Sequence, residues 1–142
     1  MKQAVVLFWS MTGNTAAMAQ AVAEGGQNAG LDVRLCQVSE ITPQEALSFD
    51  VLAMGCPAMG AEVLEEGEFE PFFTQLESGL HGKTVALFGS YDWGDGQWMR
   101  DWAERTQADG ARLVGGEGLI VHGTPDEDGL AQCRQLGAAL AN

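Results

Sequence analysis

The residues with the most capacity for chemistry lie near the start of the chain, in Ser10-Met11-Thr12-Gly13-Asn14-Thr15. An apolar run, Ala4-Val5-Val6-Leu7-Phe8-Trp9, precedes them. A helical pattern with Thr15, Met18, Ala19, Val22 and Ala23 on one face follows. A strand, a hydroxyl-rich turn and a helix N-terminus in that order make an anion site, because unpaired backbone N–H groups and the positive end of the helix dipole converge there. Ser10, Thr12 and Thr15 add hydroxyls, Asn14 adds an amide, and Gly13 lets the backbone approach closely. The same residue types suit an ordinary N-cap, so the motif alone leaves both readings open.

What the turn lacks narrows the ligand. It has no Gly-Lys-Ser/Thr ending, so it is not a nucleoside triphosphatase loop. The glycine-rich dinucleotide fingerprint is also absent after the strand. No Lys or Arg lies between Lys2 and Arg34. A phosphate bound here meets neutral donors and a helix end, which suits a monoester held permanently rather than one being transferred.

Two more loops carry unusual residues. Pro57-Ala58-Met59-Gly60-Ala61-Glu62 places a polarizable thioether just before a glycine. Ser90-Tyr91-Asp92-Trp93-Gly94-Asp95-Gly96 presents an indole among small and acidic residues, where it cannot bury itself against its own helix. Met59 and Trp93 together can sandwich a planar ring, and Glu62 can accept a hydrogen bond from a ring N–H. Taken singly, Met59 suits core packing and Trp93 suits a partner interface.

The elements that must position these loops alternate along the chain. Strands are expected at 3–9, 31–38, 50–56 and 83–89, with a fifth, interrupted strand at 113–114 and 119–121. Helices are expected at 14–29, 69–80, 97–108 and 126–141. Continuous apolar runs such as Val51-Leu52-Ala53-Met54 mark strands covered on both faces. Alternation of this kind in one domain spanning 1–142 implies an α/β fold: a three-layer, doubly wound, five-stranded parallel sheet in the order 2-1-3-4-5. Ligands in such sheets bind beyond the carboxyl ends of the strands, where the winding reverses. All three unusual loops follow carboxyl ends, and that convergence favours the anion site over the simple cap.

Composition excludes several classes. Twenty acids against seven bases give a net charge of −13, which repels nucleic acid and anionic membrane surfaces and attracts basic protein partners. Five acids fall between Glu62 and Glu70, as a local acidic patch would. No apolar run is long enough to span a membrane, and the first is too short for a signal peptide. Cys36, Cys56 and Cys133 are widely spaced and match no metal or disulfide pattern, as expected of buried thiols in a reducing cytoplasm. His81 and His122 suggest no metal site.

A phosphate loop, a flat-ring clamp and an acidic surface on this sheet resemble a short-chain flavodoxin from Met1 to Asn142. The resemblance rests on Ser10–Thr15, Met59-Gly60, Glu62-Val63-Leu64-Glu65-Glu66, Glu68-Phe69-Glu70-Pro71-Phe72, Ala86-Leu87-Phe88-Gly89-Ser90-Tyr91 and Trp93-Gly94-Asp95-Gly96. It implies FMN, held tightly and non-covalently, cycling between semiquinone and hydroquinone as a low-potential one-electron carrier between soluble redox enzymes. By position it implies that Ser10, Thr12, Gly13, Asn14, Thr15 and Ser90 hold the phosphate. Met59 and Trp93 would cover the ring faces, Glu62 would meet N3–H, and the Gly60 carbonyl would meet N5. Amides near Asp92, Trp93 and Gly94 would face the pyrimidine edge, and Pro57, Ala58 and Tyr91 complete the set. Met11, Pro57 and Ala61 depart from the family pattern, and the last bears on the redox switch. The resemblance further implies basic patches on partner proteins, a monomer and a cytoplasmic location. The alternative is a flavodoxin-like, FMN-dependent NAD(P)H:quinone reductase; the short chain and lack of a basic pocket for a dinucleotide phosphate weigh against it. A signalling receiver domain shares the strand order but needs acids after the first strand, an Asp ending the third and a Lys ending the fifth. Here those strands end at Trp9, Cys56 and Val121.

Overall fold

Parallel strands alternate with helices along the whole described chain, residues 2–142 of a computed structural model. The strands are β1 (Gln3–Phe8), β2 (Asp32–Gln37), β3 (Val51–Gly55), β4 (Thr84–Tyr91), β5 (Arg112–Leu113) and β6 (Leu119–His122). The helices are α1 (Asn14–Asn28), α2 (Pro43–Leu47), α3 (Phe69–Leu76), α4 (Gln97–Ala108) and α5 (Glu127–Ala139). The sheet runs β2-β1-β3-β4-β5, with β6 also paired to β4, and every pairing is parallel. β5 pairs with the start of β4 and β6 with its end. They are therefore the two halves of the interrupted fifth strand. The register jumps between them, and the intervening Val114–Gly116 loops out as a tight turn with positive φ at Gly115 and Gly116.

Side-chain alternation on β1 sorts the core into two layers. Val5 and Leu7 join Leu52, Met54, Phe69, Phe73, Trp98 and Trp102 on the face covered by α2, α3 and α4. Ala4 and Val6 join Met18, Val22, Ala53, Phe88 and Cys133 under α1 and α5. All of β3 is buried. In the first layer Phe69 and Phe73 meet the Trp102 ring nearly edge-on, at 5.3 and 5.9 Å between centroids. Arg105 lies 4.8 Å over Phe73 and holds Glu70 and Glu77, tying α4 to α3.

The expected elements are present, with differences at their ends. α2 was not expected; Thr42 and Glu45 form a capping box around it and Pro43 opens it. The helix expected to run to Leu80 gives way after Leu76 to a 3-10 turn, Glu77–Gly79. Gly79 sits against the Leu47 side chain, where a Cβ would meet Leu47 Cδ2 at 3.0 Å, so the tighter turn brings the chain in beside α2.

α1 and α5 pack almost backbone to backbone. A Cβ at Gly25 would collide with the Arg134 carbonyl, and one at Gly137 with the Val22 carbonyl. Gly25→Ala and Gly137→Ala are each expected to lower stability by about 1–3 kcal/mol through overpacking. The check is a lower denaturant midpoint at unchanged slope.

Candidate functional site

The loop between β1 and α1 prepares a helix end with spare donors. Gly13 caps α1 in the left-handed region at φ 95 and, having no side chain, offers the helix no cap of its own. A Cβ at Gly13 would touch nothing within 4 Å, so glycine is required by φ rather than by space. Ser10 Oγ accepts from the amides of Gly13 and Ala16, both at 3.2 Å. Those bonds fix the Ser10 hydroxyl oxygen and leave its hydrogen free to donate. The amides of Asn14 and Thr15 have no helical acceptor in the first turn. No acid lies in that turn, so the positive end of the helix is unneutralised.

Thr15 is buried and its hydroxyl turns inward. Thr15 Oγ1 lies 2.8 Å from Ser90 Oγ and accepts from the Ser90 amide at 3.4 Å. One hydrogen is shared between the two hydroxyls, so the other remains available to a ligand oxygen. This pair joins the β1–α1 loop to the end of β4.

The loop after β3 turns tightly. Met59 and Val63 exchange backbone hydrogen bonds at 2.9 and 2.8 Å. Gly60 inside the turn has φ 52, and Glu62 has φ 55, the one non-glycine residue with positive φ among those described. The strain at Glu62 has a visible compensation. Its carboxylate accepts from the amides of Asp95 at 3.3 Å and Trp98 at 3.2 Å. Trp98 is in the first turn of α4, which has neither a side-chain cap nor a first-turn acid of its own, so Glu62 supplies the negative charge its dipole favours. Glu65 does the same for α3, accepting from Gly67 at 2.6 Å, Glu68 at 2.8 Å and Phe69 at 2.8 Å. Partial burial pushes the Glu65 carboxyl up, but these three amides outweigh it and hold it below the usual carboxylate range.

The loop after β4 closes over the same edge. Ala58 donates its amide to the Ser90 carbonyl at 3.1 Å. Tyr91 lies between Trp98 and His122, 5.6 and 5.0 Å from their ring centroids. Trp93 is 47% exposed, and its indole N–H donates to the Gly60 carbonyl at 3.2 Å. Glu62 packs where a Cβ at Gly94 would fall, so a larger residue there displaces the carboxylate.

These loops bound an open cleft at the carboxyl edge of the sheet. Ser10, Thr12, Thr15, Pro57, Ala58, Met59, Ser90, Tyr91, Asp92 and Trp93 line it, as does Met11, which was not among the expected site residues. Met11 is 67% exposed on the rim. Gly13, Asn14, Gly60 and Gly94 shape the surrounding backbone without lining the cleft. Glu62 faces the first turn of α4 instead. No Lys or Arg lines the cleft, and among the described residues no acid, His or Cys cluster could hold a metal ion. Cys36, Cys56 and Cys133 are all buried free thiols. Burial pushes the Cys56 thiol well up, which leaves it inert beneath the cleft.

Four of the five acids in the run from Glu62 to Glu70 have partners within the fold. Glu62 and Glu65 serve helix ends, and Glu70 is held by Arg105, which keeps its carboxyl below the usual range. Glu68 accepts from the Trp9 indole at 3.1 Å. Sequence spacing gave no sign of these long-range partners, nor of Trp98, whose buried indole donates to the Cys56 carbonyl at 3.1 Å.

A helix end with unpaired amides and a cleft lined by hydroxyls, a thioether and an indole thus lie together at the carboxyl edge of a doubly wound parallel sheet. The flavodoxin family model matches residues 6–137. A flavodoxin of Clostridium beijerinckii is 47% identical over 137 residues, covering 96% of this chain and 98% of that one. A flavodoxin of Megasphaera elsdenii is 44% identical over 136 residues, covering 96% of each. The solution structure of the two-electron reduced Megasphaera elsdenii flavodoxin superposes with a TM-score of 0.87, covering 97% of this chain and 98% of that one. The chain belongs to the flavodoxin family. It is accordingly an FMN-binding electron carrier rather than an enzyme.

Glu65→Ala is expected to destabilise the protein by about 2 kcal/mol at neutral pH, the scale of hydrogen bonds to a charged group reduced for partial exposure. The Glu65 carboxyl is held below its ordinary value of 4.5. Its contribution is therefore complete above that value and disappears as pH falls through the lowered one. Denaturant melts of both proteins across acid pH check this: the gap between them closes on acidification.

Proposed function

We propose that the chain is a low-potential one-electron carrier whose tightly, non-covalently bound FMN cycles between semiquinone and hydroquinone, passing electrons between soluble redox enzymes. The observation that carries this reading is the meeting, in one cleft, of an unneutralised helix end and the Met59 and Trp93 side chains. FMN supplies the redox chemistry, and the protein orients and tunes it.

The donor set fits a phosphate monoester. Ser10, held by two amides that it accepts from, keeps its hydroxyl hydrogen free to donate. Thr12, Gly13, Asn14 and Thr15 offer amides or side-chain donors around the helix end, and the Thr15–Ser90 pair offers one hydroxyl hydrogen. Met59 would cover one ring face and Trp93 the other, beside Pro57, Ala58 and Tyr91. Amides of Asp92, Trp93 and Gly94 would meet the pyrimidine edge. Glu62 would accept from N3–H while its carboxylate stays anchored on α4. The Gly60 carbonyl would accept from N5–H; φ 52 at Gly60 is a conformation that glycine adopts at little cost and other residues rarely do.

The exposed Asp92 leaves negative charge beside the cleft. A carboxylate at ~10 Å disfavours a second added electron by ~20 mV in a water-like dielectric. The net charge of −13 favours docking against basic patches on partner proteins and keeps copies of this chain apart as monomers. Cytoplasmic residence accords with three free buried thiols.

Titrating the apoprotein with FMN, then reducing it stepwise while recording the visible spectrum, tests the reading. Stoichiometric uptake and two separate one-electron steps are expected; folded protein that takes up no FMN refutes it. Gly60→Ala is expected to lower the first potential. Raising ionic strength is expected to raise the second, because salt screens the carboxylates.

A further inference from the structure

Away from the cleft, Arg105 on α4 engages two carboxylates with nearly all its donors. Its Nε and Nη2 donate to Glu77 at 3.0 and 2.7 Å, and its Nη1 and Nη2 to Glu70 at 2.8 and 2.7 Å. A third acid, Asp109, stands at the C-terminal end of α4, where its amide closes the last turn onto the Arg105 and Gln107 carbonyls. The negative end of the helix dipole disfavours a carboxylate at that place. The Asp109 carboxyl reaches the Glu77 carboxyl, and its Oδ2 is buried with no donor directed to it. Two ionised carboxylates are acceptors only, so in contact they repel; one proton between them turns the contact into a hydrogen bond. The charged groups around the pair are Arg105 from α4, Glu70 from α3 behind it, and the exposed His81, whose ring lies against Gly110 from the turn before β4. Lys83 and Arg112 are engaged elsewhere, on the Phe49 carbonyl and on Thr84.

We propose that Asp109 and Glu77 share one proton, Asp109 donating, and that this bond ties the end of α4 to the 3-10 turn after α3 only while the proton is present. Arg105 decides which partner carries it. Partial burial pushes the Glu77 carboxyl up, but the bonds from Arg105 and Asp109 outweigh this and hold it below the usual range. For Asp109, partial burial, the bond to Glu77 and the charge of Glu77 act together against Arg105 and push the carboxyl up to about 6. That value lies above the ordinary 3.8, so the stabilisation is complete below 3.8 and disappears as pH rises through about 6. The dependence has the opposite sign to that of Glu65. The pair is therefore a clasp closed in mild acid and open in alkali, built where α3 and α4 end.

Carbon-13 NMR titration of the side-chain carboxyls in the full chain reads the proton directly. Asp109 is expected to titrate near 6. In Glu77→Gln it is expected to bind its proton about tenfold more weakly, because the neighbouring negative charge is gone. Asp109→Asn gives Glu77 a permanent N–H donor in place of the proton. In denaturant melts, wild type is expected to lose stability relative to Asp109→Asn as pH rises from about 5 to about 8. Asp109→Ala, which has no donor, is expected to be less stable than wild type in mild acid, and the gap to close over the same range. An Asp109 midpoint at or below 3.8 overturns the inference, as does wild-type stability that runs parallel to that of Asp109→Asn throughout. The wild-type titration needs no substitution, so a variant that fails to fold leaves the test intact. None of these readouts depends on FMN, so failure here leaves the proposed function standing.

Discussion

β1, β3 and β4 run parallel and in register, and everything at the site depends on that shared direction. It delivers three loops to one edge of the sheet, where no single segment could assemble the cleft. Parallel pairing alone does not close it, because β3 separates β1 from β4. The buried Thr15–Ser90 hydroxyl pair crosses that gap, 75 residues apart in sequence and 2.8 Å apart in space. In a buried setting such a pair is favourable only when both partners are present, since losing one strands the other. The helix end that would receive a phosphate and the strand end that leads to Trp93 are therefore fixed relative to each other.

The loop after β3 shows how a strongly acidic chain uses its charge. Helices α1, α3 and α4 all point their N-termini toward the carboxyl edge, as right-handed crossovers require. Two of those ends are answered by carboxylates of this one loop, Glu65 on α3 and Glu62 on α4. The third, α1, is left open. Negative charge is thus supplied where structure needs it and withheld where an anionic ligand would bind. A carboxylate in the first turn of α1 would compete for the amides that make the site. The positive φ of Glu62 is the local cost of reaching α4, offset by two amide hydrogen bonds.

The layout was legible where the sequence signal is local. Buried strands read as unbroken apolar runs, α4 reads from Trp98 and Trp102 four residues apart, and the three loops announce themselves by residues that suit no regular element. The interrupted fifth strand was also visible, since Gly115 and Gly116 break the apolar pattern between its halves. α2 was hidden because five residues are too few to show a helical period, although Thr42-Pro43-Gln44-Glu45 carries its start signal. The early end of α3 was hidden for another reason. Leu80 continues the apolar spacing, but close packing of Gly79 on Leu47 decides the backbone. What Glu62, Glu65, Glu70 and Glu68 do could not be read at all. A run of acids looks like a surface patch until the fold shows which amides, indoles and guanidinium groups lie opposite.

The two ends of the cleft differ in how firmly they are built, and the difference suits their tasks. The end proposed for the phosphate rests on a buried hydroxyl pair, a serine held by two amides, and a helix locked to α5 by glycine contacts too close for any Cβ. A ligand tail bound there meets donors already in place, so little ordering is required on binding. The end proposed for the ring rests on exposed or half-exposed groups: a thioether, an indole and a turn whose central peptide has open space around it. Regions with few buried contacts rearrange at low cost. Under the proposed function, a carrier that must hold its cofactor through many turnovers, yet adjust around one atom of the ring as its charge changes, would need rigidity at the tail and freedom at the reacting edge. The chain achieves this by drawing its rigid loop from a helix end packed into the core and its adjustable loops from the solvent side of the same sheet edge.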